Sequence, residues 1–169
     1  MSGEVAGQPR YRKEIMLTAP LRASIIVALV IFVPVAAGAA AKPFAGPTSG
    51  WDHTVGAAPT AQAPRAQETW RKSGGELISY QSDAALSFDD TVAMVKKNLV
   101  DNSFKASVDA DRKCDGRRAH EVELVLGTSV VRQVIVDDAP GVTKLTYMRP
   151  QGTAAAADAM SAITAYCST

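Results

Sequence analysis

His120 is the side chain in this sequence that comes closest to a catalytic group. His120 lies in a run in which side chains alternate between two faces, and its position places it on the apolar face, at the beginning of the strand. Ser107, Asp109 and Asp111 lie on the preceding alternating run, so a hairpin would bring them opposite His120. A hydroxyl, an imidazole and a carboxylate together are the groups that a nucleophilic hydrolase uses. A histidine that is hydrogen-bonded at the rim of the core is the commoner arrangement, and we favour it here.

Glu121 and Glu123 form the second candidate set, because alternation places both on one strand face. Their separation would be about 7 Å by the two-residue strand repeat. Glycosidases use paired carboxylates at separations of that order. A solvated outer face is the simpler interpretation, and it gains support if Arg132 and Lys144 lie across from them as cross-strand partners.

Other chemical motifs are missing from the sequence. It contains no Gly-x-Ser-x-Gly, no phosphate-binding glycine loop and no His-Glu-x-x-His. Asp109, Asp111 and Asp115 do not have the spacing of a calcium-binding loop. We therefore expect a chain that is not an enzyme, with no catalytic residue, no metal site and no cofactor.

The two cysteines, Cys114 and Cys167, predict one disulfide. An even cysteine count in an exported chain indicates a bridge, and with two cysteines only one pairing exists. A reactive or metal-binding thiol would need a Cys-x-x-Cys motif or a histidine close in the sequence, and neither is found. The bridge would clamp the last helix to the turn at Cys114.

Residues 1–41 have the order of a secretory signal peptide. A basic start is followed by the apolar run 23–35 and by small residues up to Ala41, after which we expect cleavage; Ala39 is the second choice. The 19 uncharged residues 23–41 are also just long enough to span a bilayer, so an uncleaved anchor is the alternative. The start codon is Met1 or Met16. The sequence thus predicts an exported protein, periplasmic or secreted, that meets the membrane only if the leader is uncleaved.

Residues 42–67 are rich in Ala, Pro, Gly and Thr and predict a flexible linker. Trp51 stands out there: it either folds back on the domain, which we favour, or contacts a partner. Without residues 1–41, which hold four basic and two acidic side chains, the 18 basic and 17 acidic residues become 14 and 15. A net charge of −1 without a basic cluster argues against a nucleic-acid partner.

Residues 68–169 predict an α+β domain: an antiparallel sheet of about five to six strands with two helices packed on it. Ser87 is placed to cap the first helix, and Thr153 is placed to cap the second, which would run to Cys167. Asp115-Gly116 predicts a two-residue hairpin turn. The apolar positions of the first helix recur at helical spacing: Phe88, Val92, Val95 and Leu99.

The arrangement beyond Trp70 resembles the small α/β/α sandwich of the PsbP/Mog1-like superfamily, including secreted bacterial members of unknown function. The shared pieces are the Ser-Phe-Asp-Asp helix start, the Cys-Asp-Gly hairpin followed by Ala-His, and Thr-Tyr-Met-Arg-Pro ahead of a last helix ending in Cys. The resemblance covers residues 68–169 and implies a non-catalytic binding or assembly module. This chain lacks the lipid-anchor cysteine of some exported relatives.

Two kinds of partner follow from these expectations. The first is an unknown protein or other component of the cell envelope. The second is a small apolar ligand, held between the sheet and a helix. The candidate contact residues for either are Trp51, Phe88, His120, Tyr147 and Met160.

Overall fold

The computed structural model describes residues 42–56 and 65–168. The predicted leader, residues 1–41, lies outside these ranges. So do residues 57–64, which belong to the predicted linker.

In these described ranges seven antiparallel strands form one sheet, and two helices accompany it, which confirms the α+β class. The strands are β1 (Asp52–Val55), β2 (Arg65–Arg71), β3 (Leu77–Asp83), β4 (Ala106–Cys114), β5 (Arg117–Leu126), β6 (Ser129–Asp138) and β7 (Gly141–Pro150). The helices are α1 (Phe88–Asp101) and α2 (Ala157–Tyr166). The spatial order is β1-β2-β3-β7-β6-β5-β4. The prediction of five to six strands was too low, because β1 lies inside the stretch taken for a linker.

Tight turns set the register on both sides of β5. Asp115 and Gly116 have φ angles of 56° and 72°, and Cys114 pairs with Arg117 across them. Two consecutive positive φ angles are the requirement of a type I′ hairpin, which the Asp-Gly pair meets at low cost. The predicted hairpin is confirmed. His120, Val122 and Leu124 consequently share one face of the sheet, as their alternation predicts.

The two helices cover opposite faces of the sheet. Ile135 packs with Phe88 of α1, whereas its neighbours Val134 and Val136 belong to the core cluster that includes Ile163 of α2. Successive strand residues point to opposite faces, so this division follows from the pleat. We call the two sides the α1 face and the α2 face. α1 follows β3 and leads to β4 at the far edge, crossing β7 and β6 on its way.

The helix starts differ in how well the sequence predicts them. Ser87 caps α1 as expected, and its side-chain oxygen accepts a hydrogen bond from the Asp90 backbone N–H at 3.1 Å. α2 instead begins at Ala157, and its N-cap residue Ala156 offers no side-chain acceptor. The Thr153 hydroxyl donates to the Pro150 carbonyl, so it closes a turn four residues before the helix. A threonine can satisfy either motif, and sequence alone did not separate them.

The disulfide joins the β4–β5 hairpin to the end of α2, as predicted. Cys114 and Cys167 are bonded, with their Cα atoms 4.2 Å apart. The backbone N–H of Asp115 also donates to the Cys167 carbonyl at 2.9 Å. The covalent bond and this hydrogen bond fix α2 on the sheet at the hairpin.

Residues 42–56 correct the linker prediction, since they pack on the α2 face of the domain. Phe44 and Trp51 are only 5% and 7% exposed, and the Trp51 indole N–H donates to Asp158 of α2 at 2.8 Å. β1 then pairs with β2 at the sheet edge. A few buried aromatics outweigh the Ala/Pro/Gly composition on which the linker prediction depended. The folding back of Trp51, the favoured interpretation, is confirmed.

We predict that Gly46→Ala destabilises the domain by about 1–3 kcal/mol, because the added methyl group overpacks a filled site. A Cβ at Gly46 would lie 2.2 Å from Cε2 of the buried Trp70. A Cβ at Gly74 meets no atom within 4 Å, so Gly74→Ala is the matched control. Urea unfolding of the two variants gives the measurement. Equal midpoints would show that the N-terminal segment does not pack against Trp70 in solution.

We also predict that removing the disulfide by Cys114→Ala with Cys167→Ala lowers the free energy of unfolding by about 4 kcal/mol, the chain-entropy value for a loop of this size. The bridged residues are 53 positions apart. Calorimetry of the oxidised protein and the double variant tests this. An unchanged melting temperature would contradict the structural role of the bridge.

Candidate functional site

His120 is fully buried between two aspartates of the edge strand β4. It is directly opposite Asp111, and its Nδ1 lies 2.8 Å from the Asp111 carboxylate. Nε2 lies 3.0 Å from the Asp109 carboxylate, at ion-pair distance but without hydrogen-bond geometry. Ser107 does not complete a nucleophilic set, because its hydroxyl donates to Glu123. The structure thus brings together the imidazole and the carboxylates but not the hydroxyl.

The hydrogen bond from His120 lowers the pKa of Asp111 below its ordinary value, and the charge of Lys96 on α1 adds to the effect. Asp111 is solvent-exposed and therefore remains a carboxylate at neutral pH. Its charge faces α1 across the space between the helix and β4. The stability that the Asp111–His120 hydrogen bond contributes is fully present at a pH above the ordinary carboxyl pKa. It is lost as the pH falls through the lowered pKa of Asp111.

The Glu121–Glu123 pair proves to be a structural charge cluster. The buried carboxylate of Glu121 forms ion pairs with Arg112 of β4 and Arg132 of β6. Arg132 therefore lies on the glutamate side, but the prediction of a solvated outer face is wrong for Glu121, which is buried on the α2 face opposite Val134. Lys144 does not lie on that side, because it is opposite Ile135 and so lies on the α1 face. With two arginines bound to it, Glu121 is held as an ion-pair partner of the sheet.

The remaining predicted contact residues are divided between the two faces. Tyr147 is buried on the α2 face, where its hydroxyl donates to Glu76 and accepts from the Ala156 backbone N–H. Burial and the Glu76 carboxylate raise the pKa of Tyr147 to about 12. Met160 lies beside it, and together they line a cavity of only about 60 Å³. Phe88 lies on the α1 face under the guanidinium of Arg118. These residues are not one ligand site.

A long groove lies on the α1 face, between α1 and strands β4, β5 and β6. The predicted contact residue Phe88 lines its start, but its extent was not predicted. Two cavities, of about 420 Å³ at the start of α1 and about 580 Å³ near its end, share Lys96 as a lining residue. A third cavity of about 190 Å³ shares Leu99 and Phe104 with the second. The three cavities thus lie side by side along α1, and we call them together the α1 groove.

The two ends of the α1 groove differ in chemistry. Near the C-terminus of α1, the 190 Å³ cavity is apolar and is lined by Val95, Leu99, Phe104, Val122, Leu124 and Val131, with Asn98 and Gln133. The 580 Å³ cavity beside it also includes Lys96, Lys105 and Asp109. The other end carries both charges, with Asp89, Lys96, Asp111, Lys113 and Arg118 among its lining residues. Arg118 there is paired with Asp89 and Asp137. Lys113 forms no ion pair with a described residue.

His120 does not reach this groove, because Asp111 and not His120 is among the lining residues of the cavity beside it. The described part of the chain contains no group of three or more His, Cys, Asp or Glu side chains able to hold a metal ion. Neither helix among residues 42–56 and 65–168 has the length and apolar character needed to cross a membrane.

No protein-family model matches this chain, and no curated protein sequence or solved structure is similar to it. The resemblance to the PsbP/Mog1-like superfamily stays a prediction.

The groove could have been found only in part from sequence. Alternation from Phe104 to Asp111 in the sequence predicts that Phe104, Val108 and Ala110 share one face of the strand. In the structure β4 begins at Ala106, and a register shift between Ala106 and Val108 changes the face on which the residues before it lie. A β-bulge of this kind leaves no clear mark in an alternating pattern.

We predict that His120→Ala returns the carboxyl pKa of Asp111 toward its ordinary value, because the hydrogen bond that favours the charged form is lost. The carboxyl titration of Asp111, followed by NMR, gives the measurement, with Asp90 as the control carboxyl at the start of α1. If the Asp111 titration is the same in both proteins, the imidazole does not hold this carboxylate.

Proposed function

We propose that this chain is an exported, non-enzymatic binding domain that contacts a protein partner of the cell envelope through the α1 groove. The groove is the observation that supports the proposal most. It is long, it is open to solvent, and it combines an apolar end with a charged end. Protein partners bind at surfaces of this mixed kind, where an apolar centre gives affinity and charges at the rim give specificity.

Export is supported by the leader sequence together with the disulfide. A signal-peptide pattern in residues 1–41 directs a chain out of the cytosol. Cys114 and Cys167 form a disulfide. Disulfides are stable in oxidising compartments and are rare in the cytosol. The two observations are independent, and both favour a periplasmic or secreted protein.

A binding role is favoured over catalysis by the way the titratable side chains are engaged. Asp111 and Asp109 contact His120, and the arginines hold Glu121. Catalytic acids and bases need a free position beside a reacting atom. The predicted hydrolase that would use His120 loses support, because that side chain is fully buried and outside the groove.

A small apolar ligand is the second candidate, because the 190 Å³ end of the groove is lined mainly by aliphatic and aromatic side chains. Ligand pockets are usually larger, about 300–1,000 Å³. A carrier would therefore use this end for part of its ligand only. The protein-partner proposal accounts for the charged end as well, and we favour it.

Site-specific photocrosslinking in the cells that make this protein tests the proposal. A photoreactive phenylalanine at Phe104 or Lys113, in the groove, should give a higher-mass adduct of one size. The same group at Lys97 or Thr164, which are exposed outside the groove, should not.

Adducts of equal yield at all four positions, or at none, would contradict a partner in the groove. Native mass spectrometry of the purified protein separates the second candidate. Extra mass of a few hundred daltons that is lost on denaturation, without a protein adduct, would favour the small-ligand carrier.

A further inference from the structure

β4 is an edge strand with free backbone groups, and it forms one border of the α1 groove. Within residues 42–56 and 65–168 it pairs with β5 alone. In an antiparallel ladder hydrogen-bonded pairs alternate with non-bonded pairs, and the pair that flanks a two-residue turn is hydrogen-bonded. Counting from the Cys114–Arg117 pair, the residues whose peptide groups point away from β5 are Lys113, Asp111 and Asp109.

The side chains of these three residues lie on the α1 face, beside the groove. Asp111 is directly opposite His120, and cross-strand partners lie on the same face of a sheet. Residues two positions apart in a strand also share a face, so Asp109 and Lys113 lie on the same side as Asp111. A chain that paired with the free edge of β4 would therefore place every second side chain on the α1 face, at the open side of the groove. This is the geometry in which a domain binds an extended peptide by strand addition, with backbone bonds for affinity and pockets for specificity.

Charge distinguishes the two ends of such a site. Lys113 is directly opposite Arg118, a like-charge pair across the hairpin. Like charges in directly opposite positions are unfavourable. Arg118 is neutralised by Asp89 and Asp137, whereas Lys113 has no ion-pair partner among the described residues. An acidic side chain from a bound segment would give Lys113 an ion-pair partner.

We propose that the α1 groove binds an extended acidic–apolar peptide segment, which adds to β4 as an antiparallel eighth strand. Its acidic side chain faces Lys113, and its apolar side chain enters the cavity formed by Leu99, Phe104 and Leu124. This inference rests on the proposed function and specifies the partner for the same groove.

The spacing of the two anchor residues follows from β4. Ala106 is opposite Leu124, which lines the apolar cavity, and Lys113 is seven positions further along the strand. On the partner strand β5 the same stretch covers six positions, from Arg118 to Leu124, or about 20 Å. Because the register shift takes up one residue, an antiparallel peptide carries the acidic residue first and the apolar residue about six positions later.

A second copy of this chain fits the edge less well than a foreign segment does. A two-fold pairing of β4 with itself centred on Asp111 places two Asp111 carboxylates opposite each other. Centring it on Ala110 places Asp109 opposite Asp111, and centring it on Arg112 places two Arg112 side chains opposite each other. Each of these registers opposes like charges at its centre, which is a common way of preventing edge-to-edge association. The registers centred on Asp111 and Arg112 also bring Lys113 opposite Asp109 or Asp111, so charge weakens self-pairing without excluding it.

The test uses the purified protein in the form that its own cells produce, and the probe is a phage-displayed library of random 12-residue peptides. Selection should enrich peptides with an acidic residue about six positions before a large apolar residue. In complex with a synthetic copy of an enriched peptide, the amide protons of Asp109, Asp111 and Lys113 should exchange at least tenfold more slowly.

Matched variants locate the binding. Phe104→Ala and Lys113→Glu should each weaken peptide binding at least tenfold, as measured by calorimetric titration. Val125→Ala removes an apolar side chain of similar exposure on the other face, and Lys97→Glu reverses a charge outside the groove; both should leave the affinity within twofold. Lys113 is exposed, so its variant keeps the test valid even if Phe104→Ala unfolds.

The outcomes separate the two proposals. Peptides that depend on Phe104 and Lys113 but leave the β4 amide exchange unchanged would overturn strand addition and keep the groove as the binding site. Failure to enrich any peptide, or an affinity that neither groove variant alters, would overturn the peptide inference. In that case crosslinking at Phe104 still decides whether the groove has a partner of another shape.

Discussion

The bond between Cys114 and Cys167 holds together the end of the molecule on which the rest of the structure depends. A buried polar network surrounds it. The Asp138 carboxylate accepts hydrogen bonds from Arg117 at 2.8 Å, from the Thr143 hydroxyl at 2.7 Å and from the Tyr166 hydroxyl at 3.0 Å. Strands β5, β6 and β7 and helix α2 each supply one of these groups. The network aligns three strand ends under the last helix.

The same end also holds the N-terminal segment. Lys42 donates to the Tyr166 carbonyl at 2.8 Å and to Asp115 at 3.2 Å. Phe44 then packs among the rings of Trp70, Tyr80 and Tyr166. Since burial of an aromatic side chain contributes several times the free energy of an exposed ion pair, the rings do most to hold this segment. The α2 face is therefore closed by α2 and by residues 42–56 together.

Among the residues that the structure describes, one helix alone covers the α1 face, and this difference between the faces produces the groove. α1 packs over β6 and β7 through Phe88, Ile135 and Val142, and the sheet extends beyond it to β5 and β4. The two sheet edges are also unlike. β1 is a four-residue strand, too short to invite pairing, whereas β4 has nine residues, with charged side chains from Asp109 to Lys113 and a register shift near its start. A long edge protected mainly by charge can still accept a partner whose charges complement it.

A good part of the fold could be predicted from local patterns. Two-residue alternation predicted the strands around Asp109 and His120, the Asp115-Gly116 pair predicted the hairpin, and Ser87 predicted the start of α1. These features depend on neighbouring residues, so they can be read from short stretches of sequence. The bounds were less accurate: the second helix was predicted from Thr153 to Cys167, whereas α2 spans Ala157–Tyr166. A threonine can close a turn or cap a helix, and the local sequence does not say which it does.

The sequence by itself determined the α+β class, the disulfide, the shared face of His120 and Val122, and the near balance of charge that argues against nucleic acid. Only the tertiary structure decided that residues 42–56 belong to the domain, that Phe88 and Tyr147 lie on opposite faces, and that α1 leaves a groove beside β4. The physical reason is the range of the interactions. Turns, caps and strand alternation are set within a few residues. Contacts such as Trp51 with Asp158, or α1 with β6, join residues far apart in the chain, and no local pattern encodes which distant surface a segment will cover.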